Sequence, residues 1–241
     1  MAKNKIFSDE KAGCTFQEME SVPGYEKIRL CKVSIQDVMR LSAELAASVQ
    51  DTSWIMDLDE RARRAYRKTA QETAEILVKI FNEISEEEVG VGAELGELIV
   101  SMGSSKALGA IFSHHEVPLA ELWKPQKKQN EGFDFHTVCP FDLVNFGEAK
   151  FKSSSSPYSE AIKQAKSFIG EEKHLRDGVH LGNFVSKNAI DNLDCDLFGV
   201  VAAFSLNAKD EVKVMNNALK KILEDFDLGE VEAFYLVGVA H

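Results

Sequence analysis

Positive charge is what this chain of 241 residues is short of: 28 Lys and Arg stand against 39 Asp and Glu, a net charge of −11. Non-specific affinity for nucleic acid comes mostly from cations that neutralise phosphates, so the deficit argues against a stand-alone, high-affinity DNA binder. Cysteine is scarce as well. Cys14, Cys31, Cys139 and Cys195 are scattered, with no Cys-x-x-Cys pair. That spacing argues against a zinc ribbon or a disulfide framework and predicts buried thiols in a reducing compartment. No run of about 18 apolar residues occurs, so no membrane-spanning helix is expected. The opening residues, Met1 to Glu10, lack the apolar stretch of a signal peptide. A cytoplasmic protein without a membrane partner is therefore expected. Proline and glycine are few, and 44% of residues are apolar, which predicts a folded globular chain. The length allows one large domain, or a core with an extension.

Residues 1–34 read as irregular, with short candidate strands near Ile28–Val33. Ser34 followed by Asp37 resembles a helix cap with an acid in the first turn. A helix is predicted from Ile35 to about Val49, and another from about Asp59, with Tyr66, Thr69, Thr73, Leu77, Ile80 and Ile84 at helical spacing. The second carries Arg61, Arg63, Arg64, Arg67 and Lys68 early on. The run Glu86-Glu87-Glu88, then Gly90 and Gly92, predicts a boundary between a mostly helical extension, 1–89, and a core, 90–241. In the core, an apolar helix spans Ala93 to about Phe112, with Glu94, Glu97, Ser101 and Ser104 on one stripe. Strands are predicted near Leu119–Lys124, Gly132–Val138 and Leu143–Lys152. A serine loop and a helix carrying Tyr158, Ala161, Ile162, Ala165, Phe168 and Ile169 follow. Residues 173–194 read as loop with a short helix; then come a buried strand (Leu197–Leu206), an amphipathic helix (Val212–Phe226) and a last strand (Glu232–Val239). The order α-β-β-β-α-β predicts an α/β fold, a mixed sheet flanked by helices.

Gly132-Phe133-Asp134-Phe135-His136 and Asn145-Phe146-Gly147-Glu148-Ala149-Lys150-Phe151 carry the chemistry. Side chains alternate along a strand, so Glu148 and Lys150 share a face, and a hairpin brings Asp134 beside them. Two carboxylates and an ammonium on apolar strands cost desolvation energy that a packed core does not return. A divalent metal with a hydrolytic water accounts for all three. Asp134 and Glu148 are the predicted ligands of Mg²⁺ (or Mn²⁺), with the Ala149 carbonyl a third. Lys150 is predicted to hold the attacking water or to stabilise charge on the phosphorane. Glu97, or failing that Glu94, adds a ligand or orients a water. Gln164, Tyr158 and Lys152 are candidates for contact with substrate phosphate. Lys124, Lys127, Lys128, Lys150 and Lys152 predict a small basic mouth on an acidic body. His136 is expected to pair with a neighbour, and the His114-His115 pair to sit at a helix end where a cation suits the dipole.

These residues and this element order are those of the PD-(D/E)xK nucleases, and the fold expected is restriction-endonuclease-like. Within them, Gly92 to Ile169 resembles the nuclease subunit of the Hachiman anti-phage defence system. The likeness is carried by Gly96-Glu97-Leu98-Ile99, by Gly132, Asp134 and His136, and by Gly147-Glu148-Ala149-Lys150-Phe151. Family members more often carry serine where Ala149 stands, at a position facing away from the metal. The resemblance implies a metal-dependent DNase that works with a superfamily-2 helicase partner. It also implies that the helicase restrains cleavage until foreign or damaged DNA is sensed.

Three other readings compete. A solitary restriction or repair endonuclease should carry a DNA-reading module, and neither a helix-turn-helix nor a zinc pattern is evident. A non-catalytic interaction subunit would have no need of Asp134, Glu148 and Lys150 together. A dinucleotide-binding enzyme is prompted by Gly90-Val91-Gly92-Ala93-Glu94-Leu95-Gly96, but the spacing is one residue too long and acids precede it where a strand should.

Overall fold

A computed structural model describes residues 5–20, 23–83, 92–124 and 132–240. Glu86–Glu88, Gly90, Lys127 and Lys128 lie outside the described residues. One mixed sheet of eight strands runs through the molecule in the order β1-β2-β3-β8-β7-β6-β5-β4. β1 (Ile6–Asp9), β2 (Cys14–Glu18) and β3 (Ile28–Ile35) form an antiparallel meander. β8 (Ala233–Ala240), β7 (Gly199–Ser205) and β6 (Val144–Lys150) continue it in parallel, and β5 (Phe135–Val138) and β4 (His115–Glu116) close it antiparallel. β7 is buried from end to end and β8 everywhere but its two terminal residues, as a sheet covered on both faces requires.

Among the described residues eight α-helices frame the sheet: α1 (Val38–Gln50), α2 (Glu60–Glu83), α3 (Ala93–Phe112), α4 (Ala120–Trp123), α5 (Tyr158–Gly170), α6 (Lys173–Leu181), α7 (Lys187–Leu193) and α8 (Glu211–Asp225). Alternation along the strands assigns their faces. On β8, Gly238 meets Met215 of α8, while Val239 lines a gap with Ile99 and Val100 of α3. On β7, the Phe204 ring lies 5.9 Å from Tyr158 of α5, whereas Ser205 lines the α3 gap. Thus α3 covers one face and α5 with α8 the other. α3 is the single helix among the described residues with the length and hydropathy of a membrane span, and 67% of that window is buried inside the protein.

Four expectations need correction. Leu119–Lys124 is not a strand: α4 occupies it, and Leu119, Ala120, Leu122 and Trp123 are all buried, a pattern that strand alternation does not produce. The Trp123 indole N–H donates to the Pro118 carbonyl at 2.8 Å and ties the turn. The first strand of the core is instead the two-residue β4. Residues 1–34 are not irregular either. The described part of the 1–89 segment holds α1 and α2, but its three strands join the core sheet through β3 and β8, and its apolar side chains share one continuous core with the rest. The cap of α1 is Asp37 itself, whose carboxylate accepts from the Arg40 N–H at 3.0 Å; Ser34 belongs to β3. Residues 173–194 hold two helices, α6 and α7.

The β5–β6 pair depends on Gly147. Phe135 stands directly opposite it, and the Phe135 ring fills the space where a Cβ would sit. Over-packing at such a site costs about 1–3 kcal/mol. Gly147→Ala is expected to destabilise the protein by about 2 kcal/mol, read as a fall in the urea midpoint at unchanged m-value.

Candidate active site

β5 and β6 pair from Val138↔Val144 to Phe135↔Gly147, and Asp134 lies one step beyond the last pair, level with Glu148. Its backbone N–H donates to the Gly147 carbonyl at 2.9 Å. Its side chain continues the ladder: Oδ2 accepts from the Ala149 N–H at 2.7 Å. The first predicted acid is thereby fixed against the second strand. Glu148 and Lys150 register with Ala202 and Phe204 of β7 and so share the face that α5 covers.

Glu148 is fully buried. Neither carboxylate oxygen takes part in a hydrogen bond of ordinary geometry; the Lys150 ammonium lies 2.7 Å from Oε1 as an ion pair. Lys150 in turn approaches Glu97 Oε1 at 3.7 Å. The structure therefore brings Asp134, Glu148, Lys150 and Glu97 together and ranks Glu97 above the exposed Glu94. Gln164 is half-buried on α5, and Tyr158 packs on Phe204; neither bonds to the three central residues. Lys152 turns its ammonium to Glu160 of α5, while its backbone N–H donates to the Ser205 hydroxyl at 2.9 Å. Among the described residues no three His, Cys, Asp or Glu side chains stand close enough to hold an ion by themselves. The ammonium of Lys150 now sits among the acids.

Proton affinities follow from this crowding. Burial pushes the Asp134 carboxyl up to about 6, against the opposing pull of the Ala149 N–H and Lys150. Burial, reinforced by the charge of Asp134 and only partly offset by Lys150, raises Glu148 well above the usual carboxylate range. Burial works to discharge Lys150, but Glu148, Asp134 and Glu97 outweigh it and strengthen its hold on the proton. A buried carboxylate with so few donors is poorly served by the protein alone.

Two residues in this neighbourhood escaped the sequence reading. Asp177 of α6 receives, on one oxygen, the Lys124 ammonium at 2.7 Å, His136 Nε2 at 2.9 Å and the Phe133 N–H at 3.3 Å. Lys124 also donates to the Phe133 carbonyl at 2.6 Å. The backbone on either side of Asp134 is thus clamped to α6. Burial pushes Asp177 up, but His136 and Lys124 prevail and hold it below its ordinary range. The signal was present: His174, Asp177 and His180 recur every three residues along a short amphipathic segment. Glu121 of α4 is the second. One of its oxygens is buried without a partner, and burial, then the charge of Asp134, pushes it up to about 7. A lone acid inside the apolar run Leu119–Trp123 was its only mark.

His136 pairs with a neighbour, as expected. His114 does not serve as a helix-end cation: it is buried, bridges the Thr137 and Tyr235 hydroxyls at 2.9 and 3.1 Å, and burial pulls it down to about 4, which keeps it neutral. Lys124, Lys150 and Lys152 each face a carboxylate, so the expected basic mouth is largely neutralised. A cavity of about 370 Å³ opens on the α3 face between Trp54, Met102, Leu122, Phe135 and Phe184; Asp134, Glu148 and Lys150 do not line it. No family model, no curated protein and no solved structure matches this chain.

Asp134 carries a checkable sign. A carboxyl raised from 3.8 to about 6 in the fold holds its proton while the unfolded chain has lost it. Its stabilising effect is present below about pH 4 and is lost as pH rises through about 6. In chelator, wild type is expected to lose at most about 3 kcal/mol over that window relative to Asp134→Asn, measured by urea denaturation at each pH. A flat difference would refute the assignment.

Proposed function

We propose that this chain is a metal-dependent DNase with a restriction-endonuclease-like core. In this reading it is the nuclease effector of an anti-phage defence complex, acting in the cytoplasm on DNA under the control of a superfamily-2 helicase partner. The observation that carries the chemistry is the Glu148 carboxylate: fully buried, without an ordinary hydrogen bond, and level with a second acid. The helicase and the defence role rest on the resemblance of Glu97, Asp134, His136, Glu148 and Lys150 in their sequence context to the Hachiman nuclease subunit.

The donor set suits a hard cation. Carboxylate and carbonyl oxygens are what Mg²⁺ and Mn²⁺ prefer, and a buried carboxylate lacking donors gains most from one. Asp134, Glu148 and the Ala149 carbonyl would hold it, with Glu97 contributing a ligand or orienting a water. When bound, the metal supplies Lewis acidity toward the phosphate and lowers the pKa of a coordinated water. The chain's own residues do the rest. The Ala149 N–H holds Asp134 through Oδ2 alone. Asp177 and Lys124 prevent the Phe133–His136 segment from swinging away. Lys150 stays charged, so its ammonium is suited to hold a water or to meet charge that develops on the phosphorane. Lys152 must release Glu160 before it can touch phosphate, and Gln164 is placed on the helix that covers the same face.

One observation favours a non-catalytic interaction subunit: Lys150 already closes on Glu148 and Glu97, and no ready-made group of three acidic or His/Cys ligands exists among the described residues. Incubating the purified chain with linear and circular DNA and Mg²⁺, alone and with a helicase encoded beside it, separates the two. DNA loss is expected to require Mg²⁺ and to fall at least about 100-fold in Glu148→Ala and in Lys150→Ala. Equal loss in all three proteins overturns the catalytic reading. Absence of both cleavage and Mn²⁺ binding by calorimetry favours the interaction subunit.

A further inference from the structure

We propose that Arg61, Arg64 and Arg67, on the solvent face of α2, form a phosphate-binding ridge that receives the backbone of nucleic acid. The inference deepens the DNase reading and rests on it for the identity of the polymer.

Five cations fall between Arg61 and Lys68 in a chain of net charge −11. At 100° per residue, Arg61, Arg64, Arg67 and Lys68 lie within about 120° of arc. Ala70, Thr73, Ala74, Leu77 and Phe81 occupy a separate, buried arc that adjoins it. Local structure does not need such a cluster. Cations near a helix N-terminus oppose the macrodipole, and like charges three or four residues apart repel. Glu60 is the only acid in the first turn.

The cations also divide by role. Arg63 is structural: its guanidinium donates to the Met56 carbonyl at 2.8 Å and the Leu58 carbonyl at 3.1 Å, and so ties the preceding turn. Lys68 faces Glu72 at 3.7 Å. Arg61, Arg64 and Arg67 are exposed, and their guanidinium groups have no carboxylate, carbonyl or ring partner among the described residues. Among the described residues, Lys124, Lys150 and Lys152 around the Glu148 site each face an acid, whereas this ridge is positive charge without such a partner. A guanidinium presents a planar fork matched to phosphate oxygens. Arg61 to Arg67 covers about 9 Å of helix, enough to meet more than one phosphate.

The ridge is mechanically joined to the site. Tyr66, on its buried flank, bonds His180 of α6 at 2.9 Å. The His180 ring lies 5.8 Å from Trp123, and Trp123 lies 5.4 Å from His136, two residues along β5 from Asp134. Its position relative to the carboxylates is therefore fixed by packed rings.

The test measures binding of a fluorescein-labelled mixed-sequence DNA duplex to the full chain in EDTA, across a salt series, by anisotropy. In Arg61→Ala/Arg64→Ala/Arg67→Ala, Kd is expected to rise at least about tenfold near 0.1 M salt, and the slope of log Kd against log salt to fall by about 2–3. Arg63→Ala is the control for structural damage, expected to lower Tm and leave the slope unchanged. The proposal is overturned if wild type does not bind the duplex, if the triple variant keeps wild-type affinity and slope, or if the triple variant loses binding to phosphatidylserine vesicles but not to DNA. Loss of binding in the triple variant alongside absent Mg²⁺-dependent cleavage by wild type removes the DNase reading and keeps the ridge. Cleavage by the triple variant at unchanged KM removes the ridge and keeps the DNase reading.

Discussion

A carboxylate shut inside a sheet has to be answered by something, and the architecture around Glu148 is organised by that requirement. Glu148 is sealed from solvent, the backbone donors of β6 and β7 are engaged in their own ladder, and among the described residues the one cation at hand is the Lys150 ammonium. Removing a charge from water costs several kcal/mol even after relaxation, and a single ion pair rarely returns it. Stability alone would favour an apolar residue at this point between Gly147 and Ala149. The proposed chemistry supplies the missing reason, because a hard cation takes up the negative charge that the fold leaves exposed to its own interior.

The constraint spreads outward through backbone rather than through side-chain charge. Asp134 is placed by an extra rung on the β5–β6 ladder, its carboxylate standing in for the carbonyl that a longer β5 would have offered to Ala149. α6 then holds the same stretch from outside through Asp177, with Lys124 closing the loop onto the Phe133 carbonyl. A site built in this way is rigid at its acids and adjustable at its lysines. Lys150 and Lys152 end in flexible stems whose present partners, Glu148 and Glu160, sit at hydrogen-bonding range but impose no fixed fork.

Legibility in the sequence followed the strength of the local period. α3, α5, α8, β6, β7 and β8 were visible because each has a full turn pattern or a sustained apolar run, and the pairing of Asp134 with Glu148 followed from alternation across a hairpin. β1 and β2 were not, since Ile6–Asp9 and Cys14–Glu18 carry only two or three apolar residues each and acquire their strand character from neighbours in the sheet. α4 failed for a related reason: four residues contain no period, and the burial of Leu122 and Trp123 side by side is decided by what packs on them. The fate of the lysines was also beyond reach. Whether Lys124 greets a phosphate or an aspartate depends on Asp177, a residue 53 positions away. His114 makes the same point, since its neutrality comes from Thr137 and Tyr235, which the chain brings to it only on folding.

The pairing of β3 with β8 has a temporal consequence. Residues 28–34 lie beside residues 234–240, so one edge of β3 waits for a strand far downstream before it is satisfied. Until that strand leaves the ribosome, β3 and β7 each present an unpaired edge and part of the floor beneath α3 is missing. Long-range parallel pairing is slow to form because loop closure precedes its reward. For a protein whose proposed action would be harmful if loosed too soon, such ordering acts as a built-in delay: the sheet cannot be assembled until the strand that joins β3 to β7 has been made.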